Sequence, residues 1–410
     1  MKKLLASDLS TSLLLFRFRK YRFEQNCIER KSKRDCNMEN QGVIELKVEE
    51  TQVVIFSPAL NAVSGVSTHV NMLLGSTLAD QFKLIHFQVG SEGRKENSFQ
   101  RLARFLLSPL QLAVVLAQTR PRIVHINTSM DRKAFWRDIV YLFVAKAMGC
   151  KVVNQFHSGS SPERLFKSKL LRLLLRKFLL SADAVTVLSS SALAFHKAFD
   201  PRIAVELVPN AIDTSGLLDA ARGASNDTAP LRLVYVGRLV RSKGLFDALE
   251  ALNFLKADGF KFHLNVAGNG PDASEIRDAV ARLGLEKEVT LLGPVFGAAK
   301  SKLWLESDVQ VFPTYHNEGL PYSILESLAA GCVPITCSVA AIPDVMQDGV
   351  HGLFVPARDP AAVAKAIRRL DADRHELRRM AQAGRERIRE QYTVDRLANR
   401  FGEIYQRLSK

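Results

Sequence analysis

Apolar residues are distributed along the chain in two alternating kinds of segment. Segments of four to seven residues rich in apolar side chains, typical of buried strands, alternate with longer segments in which apolar residues recur every three or four positions, as in helices. Short joints rich in Gly, Pro and Ser separate them. Alternation of this kind predicts parallel βαβ units. The pattern extends over residues 51–213, is interrupted at 214–230 by small and polar residues, and restarts at residue 231.

Each series predicts a Rossmann-like half of an α/β fold. The first predicts strands at 52–56, 83–89, 122–127, 151–156, 184–188 and 205–208, with helices at 67–78, 98–118, 131–148 and 162–180. The second predicts strands at 231–236, 261–267, 288–292, 308–312 and 333–337, with helices at 244–256, 272–283, 297–306, 323–330, 360–370 and 394–408. Two such halves face each other across a cleft where the carboxyl ends of their strands meet, which is the usual ligand position in open α/β sheets.

Composition narrows the range of partners. A chain of 410 residues with 47% hydrophobic and 24% charged residues is an ordinary globular protein of about two domains. The five cysteines have no metal-ligand spacing, and their odd number argues against a disulfide framework, which favours a reducing cytoplasm. A net charge of +15 indicates an acidic partner, such as nucleic acid, an anionic membrane or a phosphorylated substrate. Because the sequence has no zinc finger, RNP-like motif or basic stripe with interleaved aromatics, we expect no nucleic acid partner.

The first 50 residues fall outside the alternating pattern. Lys2 and Lys3 precede an apolar run, as in a signal peptide, but Asp8 interrupts that run and no small-residue cleavage site follows. No uninterrupted apolar stretch of the chain reaches the roughly 18–20 residues that span a bilayer. We expect residues 1–50 to be a basic leader, either disordered or an over-extended start with Met38 as the true initiator.

The segment at residues 316–326 has the properties of an anion site. It follows a predicted strand and opens a predicted helix. Pro321 suits the first helical position, where no backbone donor is lost. The backbone amides of Gly319 and Leu320 would then point at a ligand above the helix start. Because that end of a helix carries partial positive charge, a phosphate group is the expected ligand.

Two carboxylates, Glu318 and Glu326, bracket this phosphate pocket. Carboxylates accept hydrogen bonds from sugar and ribose hydroxyls, so the segment is suited to a nucleotide sugar. The Glu-x7-Glu spacing with Gly-Leu-Pro inside it resembles the donor site of retaining GT-B glycosyltransferases of family GT4, and the resemblance covers about residues 50–405. It implies two Rossmann-like domains and a nucleoside diphosphate sugar as donor substrate.

A second loop supplies cations. Arg238 and Lys243 lie between a predicted strand and a predicted helix, and two cations five residues apart on such a loop face the same diphosphate and offset its charge. In the family, the matching Arg and Lys hold the diphosphate. The nearby Gly268-Asn269-Gly270 string either contacts the donor or forms a tight turn.

The first half supplies further candidates for the cleft. Gly65 lies in the first βα loop, where the family backbone approaches the donor phosphate, and Ser64 replaces a glycine that is common in the family. His157 ends a strand, and the matching family histidine lies beside the reacting sugar. His69 and His125 have no such support, so we expect structural roles for them.

A basic amphipathic segment at residues 162–178 has two interpretations. Its six cations beside a broad leucine face are typical of a helix that lies on an anionic membrane. The same leucines also suit an ordinary helix packed on a core, and both can hold at once. The enzymes that the chain resembles often use a lipid-linked acceptor, which fits a membrane contact.

The resemblance implies a retaining transfer of a sugar to a hydroxyl acceptor. Arg238, Lys243 and the helix start would stabilise the leaving diphosphate, Glu318 would bind the donor sugar, Glu326 the ribose, and His157 would steady the sugar. No Asp-x-Asp metal site is evident in the sequence, so we expect no metal and no other cofactor. A UDP-GlcNAc 2-epimerase and a catalytically inactive sugar-nucleotide-binding protein are the alternatives.

The resemblance also implies a domain organisation and a setting. We expect an acceptor domain at 51–213, a linker at 214–230, a donor domain at 231–390 and a last helix, within 391–410, that crosses back to the acceptor domain. The acceptor would be a glycan or a lipid-linked molecule in bacterial polysaccharide or lipopolysaccharide assembly. The enzyme would be cytoplasmic and peripheral at the inner face of the cytoplasmic membrane.

Overall fold

The protein forms two parallel β-sheets with helices on both faces of each. The computed structural model describes residues 51–94, 96–129, 131–159, 161–220, 229–316 and 319–410. The predicted leader at 1–50, the middle of the predicted linker and Glu318 lie outside the described residues. Within them, the predicted α/β fold of two Rossmann-like halves is confirmed.

The first half is a six-stranded sheet covered by six helices. Its strands are β1 (Gln52–Ser57), β2 (Lys83–Gln88), β3 (Ile123–Thr128), β4 (Lys151–Phe156), β5 (Ala184–Val187) and β6 (Val205–Leu207). All pairs are parallel and the order is β2-β1-β3-β4-β5-β6. The helices are α1 (Gly65–Leu74), α2 (Leu78–Gln81), α3 (Ser98–Thr119), α4 (Arg132–Ala147), α5 (Lys169–Ser181) and α6 (Ser190–Phe199).

The second half repeats this plan. Its strands are β7 (Leu231–Val236), β8 (Phe262–Ala267), β9 (Val289–Gly293), β10 (Val309–Phe312), β11 (Val333–Thr336) and β12 (Leu353–Phe354). They are parallel in the order β12-β11-β10-β7-β8-β9. The helices are α7 (Leu245–Ala257), α8 (Ala273–Arg282), α9 (Gly297–Leu305), α10 (Tyr322–Ala330), α11 (Ile342–Val345), α12 (Pro360–Ala372) and α13 (Arg374–Gln391), followed by α14 (Val394–Ser409).

The prediction of one helix at 162–180 is wrong. The chain instead forms a single 3₁₀ turn at Pro162–Arg164 and begins α5 at Lys169. Leu165 and Phe166, between the two, are buried in the core, and the Phe166 ring lies 4.9 Å from that of Phe135. Burial of these two side chains favours a break in the helix, because a continuous helix would carry the chain past this part of the core.

Other helices depart from the predicted pattern. The helix predicted at 67–78 is divided at Gly75 into α1 and α2, and α6, α11 and α13 were not predicted at all. The α13 helix is rich in charged residues, and its buried positions include Leu377, Met380 and Ile388 on one side. So few apolar residues give a weak periodic signal, although the helix packs firmly on the core of the second half.

The last helix, α14, packs on the first half. Phe401 and Tyr405 are fully buried against strands β1 and β3. The Tyr405 hydroxyl lies 2.6 Å from Nδ1 of His125, and Nε2 of His125 lies 3.1 Å from Oε1 of Gln155. This arrangement fits a neutral His125 that accepts from Tyr405 and donates to Gln155. The hydrogen bonds connect the last helix to two central strands.

Burial keeps the histidines of this region neutral. It lowers the pKa of His125 to about 3, and nearby His69 acts in the same direction. Burial also lowers the pKa of His69 to about 4. Both rings are fully buried, so a proton on either would be a charge in an apolar environment. The packing of the first half's core therefore requires that His69 and His125 both stay unprotonated.

This burial predicts an acid-sensitive stability. Above an unfolded pKa of about 6.5, His125 is neutral in both states. Below it, the unfolded chain binds a proton that the folded protein does not, so the free energy of unfolding falls by up to about 1.4 kcal/mol per pH unit from each such histidine. Urea unfolding followed between neutral pH and about pH 5 should show this slope. The number of protons bound on unfolding, which sets this slope, should decrease by about one in His125→Gln. Equal slopes in the two proteins would contradict the assignment.

Candidate functional site

The carboxyl ends of strands from the two halves meet at a close backbone contact. Gly319 follows β10 and His157 follows β4. A Cβ atom at position 319 would lie 2.2 Å from the carbonyl oxygen of His157, so only glycine fits there. Beside it, a Cβ atom at position 65 would lie 3.5 Å from the ring of Tyr322. Three residues singled out in the sequence, Gly65, His157 and Gly319, therefore lie together where the halves touch.

Hydrogen bonds fix the segment that leads into helix α10. The carbonyl oxygen of Gly319 accepts from the backbone amide of Ala341 at 3.2 Å. The carbonyl oxygen of Leu320 accepts from Nδ2 of Asn210 at 3.0 Å, and the Leu320 side chain is buried. Asn210 comes from the loop after β6 in the first half, so its bond to Leu320 joins the two halves.

Helix α10 begins one residue before the predicted range of 323–330, but one residue after Pro321, which the sequence suggests as its first position. Pro321 has φ −66° and ψ 124°, an extended conformation, and Tyr322 is the first helical residue. Pro321 therefore occupies the position before the helix and not the first position within it. Its side chain has no hydrogen-bond acceptor and cannot cap the first-turn amides, which suits a helix start that receives an anion.

The loop after β7 is bonded to the loop after β10. Lys243 ends a 3₁₀ turn, Arg241–Lys243, and Arg238 precedes it on the same loop. Between them, the carbonyl oxygen of Ser242 accepts from the amide of Tyr315 at 2.9 Å, and its hydroxyl is hydrogen-bonded to Nδ1 of His316 at 2.8 Å. The cation loop is thereby bonded to the segment that carries Glu318 and Gly319.

Glycine makes this contact possible at position 244. Gly244 has φ +80°, a left-handed conformation, and a Cβ atom there would lie 2.2 Å from the carbonyl oxygen of Pro313. The three cations of the loop have different surroundings. Arg238 is exposed, and Nζ of Lys243 lies 5.6 Å from the centre of the Phe312 ring. Arg241 pairs with Glu275 at 2.8 Å.

The glycine string after β8 supports the cation loop. Cβ atoms at Gly268 and Gly270 would lie 1.9 Å from the carbonyl oxygen of Gly237 and 2.1 Å from that of Leu239. The Leu239 amide donates to the Asn269 carbonyl at 2.9 Å. Of the two interpretations of this string, these contacts favour the structural one: glycine permits a close approach that positions Arg238.

His157 is held as a neutral ring of defined tautomer. Its Nε2 lies 2.8 Å from Oδ1 of Asn127, whose Nδ2 donates to the carbonyl oxygen of Phe56 at 3.1 Å. Because Asn127 presents its oxygen, Nε2 of His157 carries the proton and Nδ1 is left as an acceptor. Burial, reinforced by His69 and His125, holds the pKa of His157 well below its usual range. The ring can accept a hydrogen bond from a hydroxyl but is not an acid near neutral pH.

Glu326 lies one turn into α10 and is tightly held. Nζ of Lys300 lies 2.6 Å from Oε1, and Nε1 of Trp304 donates to Oε2 at 3.1 Å. Both partners come from α9, four residues apart, and Trp304 is fully buried. Glu318 itself lies outside the described residues, so its predicted role stays a prediction.

Comparison with known families fits this geometry. Residues 53–215 match the family described as Glycosyltransferase Family 4, and residues 221–387 match Glycosyl transferases group 1. The chain belongs to glycosyltransferase family 4. The division between the two matches falls in the interval between the two sheets.

Relatives of this family 4 chain carry the names of different glycosyltransferases. It is 27% identical over 185 residues to the amylovoran biosynthesis glycosyltransferase AmsK of Erwinia amylovora, covering 44% of this chain and 46% of that protein. It is 29% identical over 250 residues to the GDP-mannose-dependent alpha-(1-6)-phosphatidylinositol monomannoside mannosyltransferase of Mycobacterium tuberculosis, covering 57% and 64%. The matches span 21% to 50% of the length of the first curated relatives.

Solved structures share the fold of this glycosyltransferase. The Anabaena protein Alr3699/HepE in complex with UDP-glucose superposes with a TM-score of 0.68 at 15% sequence identity, over 87% of this chain and 100% of that one. At this identity the likeness shows the fold alone, and the predicted GT-B architecture is confirmed.

Several residues of the site escaped sequence reasoning. Lys300, Trp304, Asn127 and Asn210 all hold a predicted site residue or the segment beside it. The four-residue spacing of Lys300 and Trp304 indicates a shared helix face. Nothing in the sequence tells which neighbouring helix that face meets, so their contact with Glu326 was not predictable.

The approach of the two halves predicts a steric cost at position 319. Gly319→Ala should lower the free energy of unfolding by about 1–3 kcal/mol, because the added carbon meets backbone that cannot rotate away. Urea unfolding measures the change. Gly75→Ala, whose Cβ atom would lie at an ordinary 3.4 Å from its nearest neighbour, should change stability by less than about 0.5 kcal/mol. Equal effects of the two substitutions would contradict this packing.

Proposed function

We propose that this family 4 glycosyltransferase transfers a sugar from a nucleoside diphosphate sugar to a hydroxyl of a glycan or lipid-linked acceptor, with retention at the anomeric carbon. The observation that carries the proposal is the meeting of three loops at one cleft: the loops after β4, β7 and β10. They bring a neutral histidine, two cations and an uncapped helix start to one edge of the two sheets.

The diphosphate would lie between the cation loop and the start of α10. Arg238 and Lys243 would offset the charge that develops on the leaving group, and the amides at Gly319 and Leu320 would donate to its oxygens. The hydrogen bonds of Ser242 to Tyr315 and His316 support this placement, because they hold the two loops against each other. Because these cations and amides are already in place before the reaction, they need no reorganisation in the transition state.

The sugar and the ribose would be bound on either side of the diphosphate. Glu318 and the unprotonated Nδ1 of His157 would accept hydrogen bonds from the donor sugar, and Glu326 from ribose hydroxyls. Lys300 and Trp304 each occupy a separate oxygen of Glu326, and each carboxylate oxygen retains a lone pair for a hydroxyl. In the proposed front-face transfer, the bond from the anomeric carbon to phosphate breaks and the acceptor oxygen bonds on the same face. The acceptor proton passes to the departing phosphate.

The relatives support an acceptor of polysaccharide or lipid character. One is named for amylovoran biosynthesis and another for transfer to a phosphatidylinositol monomannoside. Bacterial polysaccharide or lipopolysaccharide assembly, at the inner face of the cytoplasmic membrane, is therefore the setting that we propose. The basic segment at 162–178 is part of this proposal as a contact with the anionic membrane.

Donor binding tests the proposal directly. A thermal-shift screen with UDP-, GDP- and ADP-sugars identifies the donor, and calorimetry gives its affinity. Arg238→Met and Lys243→Met should each weaken donor binding by about 10- to 150-fold, the loss of one charge-assisted hydrogen bond of about 1.5–3 kcal/mol.

Arg241→Met is the matched control, because Arg241 lies in the same turn but pairs with Glu275 and stacks over Phe246. It should change the affinity by less than about threefold. If the Arg238 and Lys243 variants bind every nucleotide sugar as the unsubstituted protein does, the diphosphate lies elsewhere.

Turnover tests the chemistry. With the donor identified, product should form only when an acceptor is added, its anomeric configuration by NMR should equal that of the donor, and the rate should be unchanged by EDTA. Product without acceptor would favour the epimerase reaction. Inversion, or loss of activity with EDTA that added metal restores, would contradict the proposed mechanism.

A further inference from the structure

Helix α3 turns its more apolar side away from the protein. It contains no Asp or Glu, and among the described residues it is the one helix long and apolar enough to cross a membrane by length and composition. Its buried positions are Ser108, Leu112 and Leu116, on one side. The opposite side carries an exposed stripe at helical spacing: Phe99, Leu102, Leu106, Leu110 and Val114, which are 78%, 57%, 63%, 65% and 52% exposed.

The neighbouring helix extends this surface. α4 packs beside α3, where the Tyr141 hydroxyl lies 2.8 Å from the Ser108 hydroxyl. Its own exposed apolar residues, Trp136, Val140 and Phe143, are spaced by four and three positions and so share a face. Two adjacent helices thus carry a large exposed apolar surface, which in folded proteins marks an interaction site.

Basic residues accompany the apolar surface. Lys133 on α4 is exposed and lies three residues before Trp136, on the same face of that helix. The next helix, α5, contacts α4 through its apolar side and carries exposed Lys169 and Lys177. The chain as a whole has a net charge of +15. An apolar face with cations beside it complements an anionic lipid surface, where the side chains enter the acyl boundary and the cations meet the headgroups.

Helix α3 cannot leave the fold to span a bilayer. It connects β2 to β3, and both strands pair with β1 in the first sheet. Leu112 and Leu116 are fully buried in the core beneath it. The helix therefore stays on the sheet with its axis along the protein surface, which is the geometry of an interfacial helix.

We propose that α3 and α4 form a docking surface for an anionic lipid bilayer, with the stripe of Phe99, Leu102, Leu106, Leu110 and Val114 inserted at the interface. This surface differs from the segment expected at 162–178. There, Leu175, Phe178 and Leu179 are buried in the core, and the exposed apolar side chains are those of Leu170 and Leu173. The α5 helix contributes cations, and α3 contributes most of the apolar area.

Vesicle flotation of the full chain, without any donor, tests the surface independently of the proposed activity. The protein should float with vesicles of equal parts phosphatidylcholine and phosphatidylglycerol, and much less with phosphatidylcholine alone. Leu106→Glu combined with Leu110→Glu should lower the partition by about tenfold or more, because both insertion and charge attraction are lost. Both positions face solvent, so the double variant should keep its unfolding midpoint and its donor affinity.

Phe254→Glu is the matched control, since Phe254 is 47% exposed on α7 of the other half, and it should float as the unsubstituted protein does. The proposal is overturned if the unsubstituted protein fails to float, or if the double variant floats equally well. A dimer that the double substitution dissociates, without vesicle binding, would assign the stripe to a second copy of the chain. A cross-link from residues 1–50 to the stripe, again without vesicle binding, would assign it to that segment.

Discussion

The arrangement of the site depends on one close approach of backbone to backbone. At Gly319 the second half comes so near the carbonyl group of His157 that no side chain fits between them. Asn210, from the first half, holds the next carbonyl group, that of Leu320. These two contacts set the position of helix α10 relative to strand β4. The placement of His157 relative to the cation loop and Glu326, which belong to the second half, follows from that position.

The same histidine connects the site to the core of the first half. His157 lies with its ring 4.9 Å from that of His69, and His125 bonds to Tyr405 of the last helix. Burial keeps all three rings neutral, and the neighbouring histidines further lower the pKa of His125 and of His157. The last helix, although distant in sequence, therefore influences the state of a residue in the cleft. A site in which His157 accepts a hydrogen bond depends on this packing.

Sequence reasoning succeeded where the local signal and the tertiary structure agree. Most strands are rich in apolar residues because both of their faces are buried, so their positions were predicted to within about a residue or two. The α13 helix was missed because its packing needs only a few apolar positions among many charges. In the site, Arg238, Lys243 and Gly319 could be proposed from their loops at strand ends together with the resemblance to family GT4, and their roles stay predictions. Their partners could not be proposed, because contacts such as that of Lys300 with Glu326 join separate helices.

Helix α3 shows a general limit of what hydrophobic periodicity can predict. Its apolar residues recur at helical spacing on both sides, so the pattern predicts a helix but does not tell which side meets the sheet. In the structure the side that carries Ser108 faces inwards, where its hydroxyl bonds to that of Tyr141 on α4. The residues of the outward stripe are larger and more apolar than those inside. A helix that served only the fold would be expected to carry polar residues there, so the outward stripe fits the proposed contact with a bilayer.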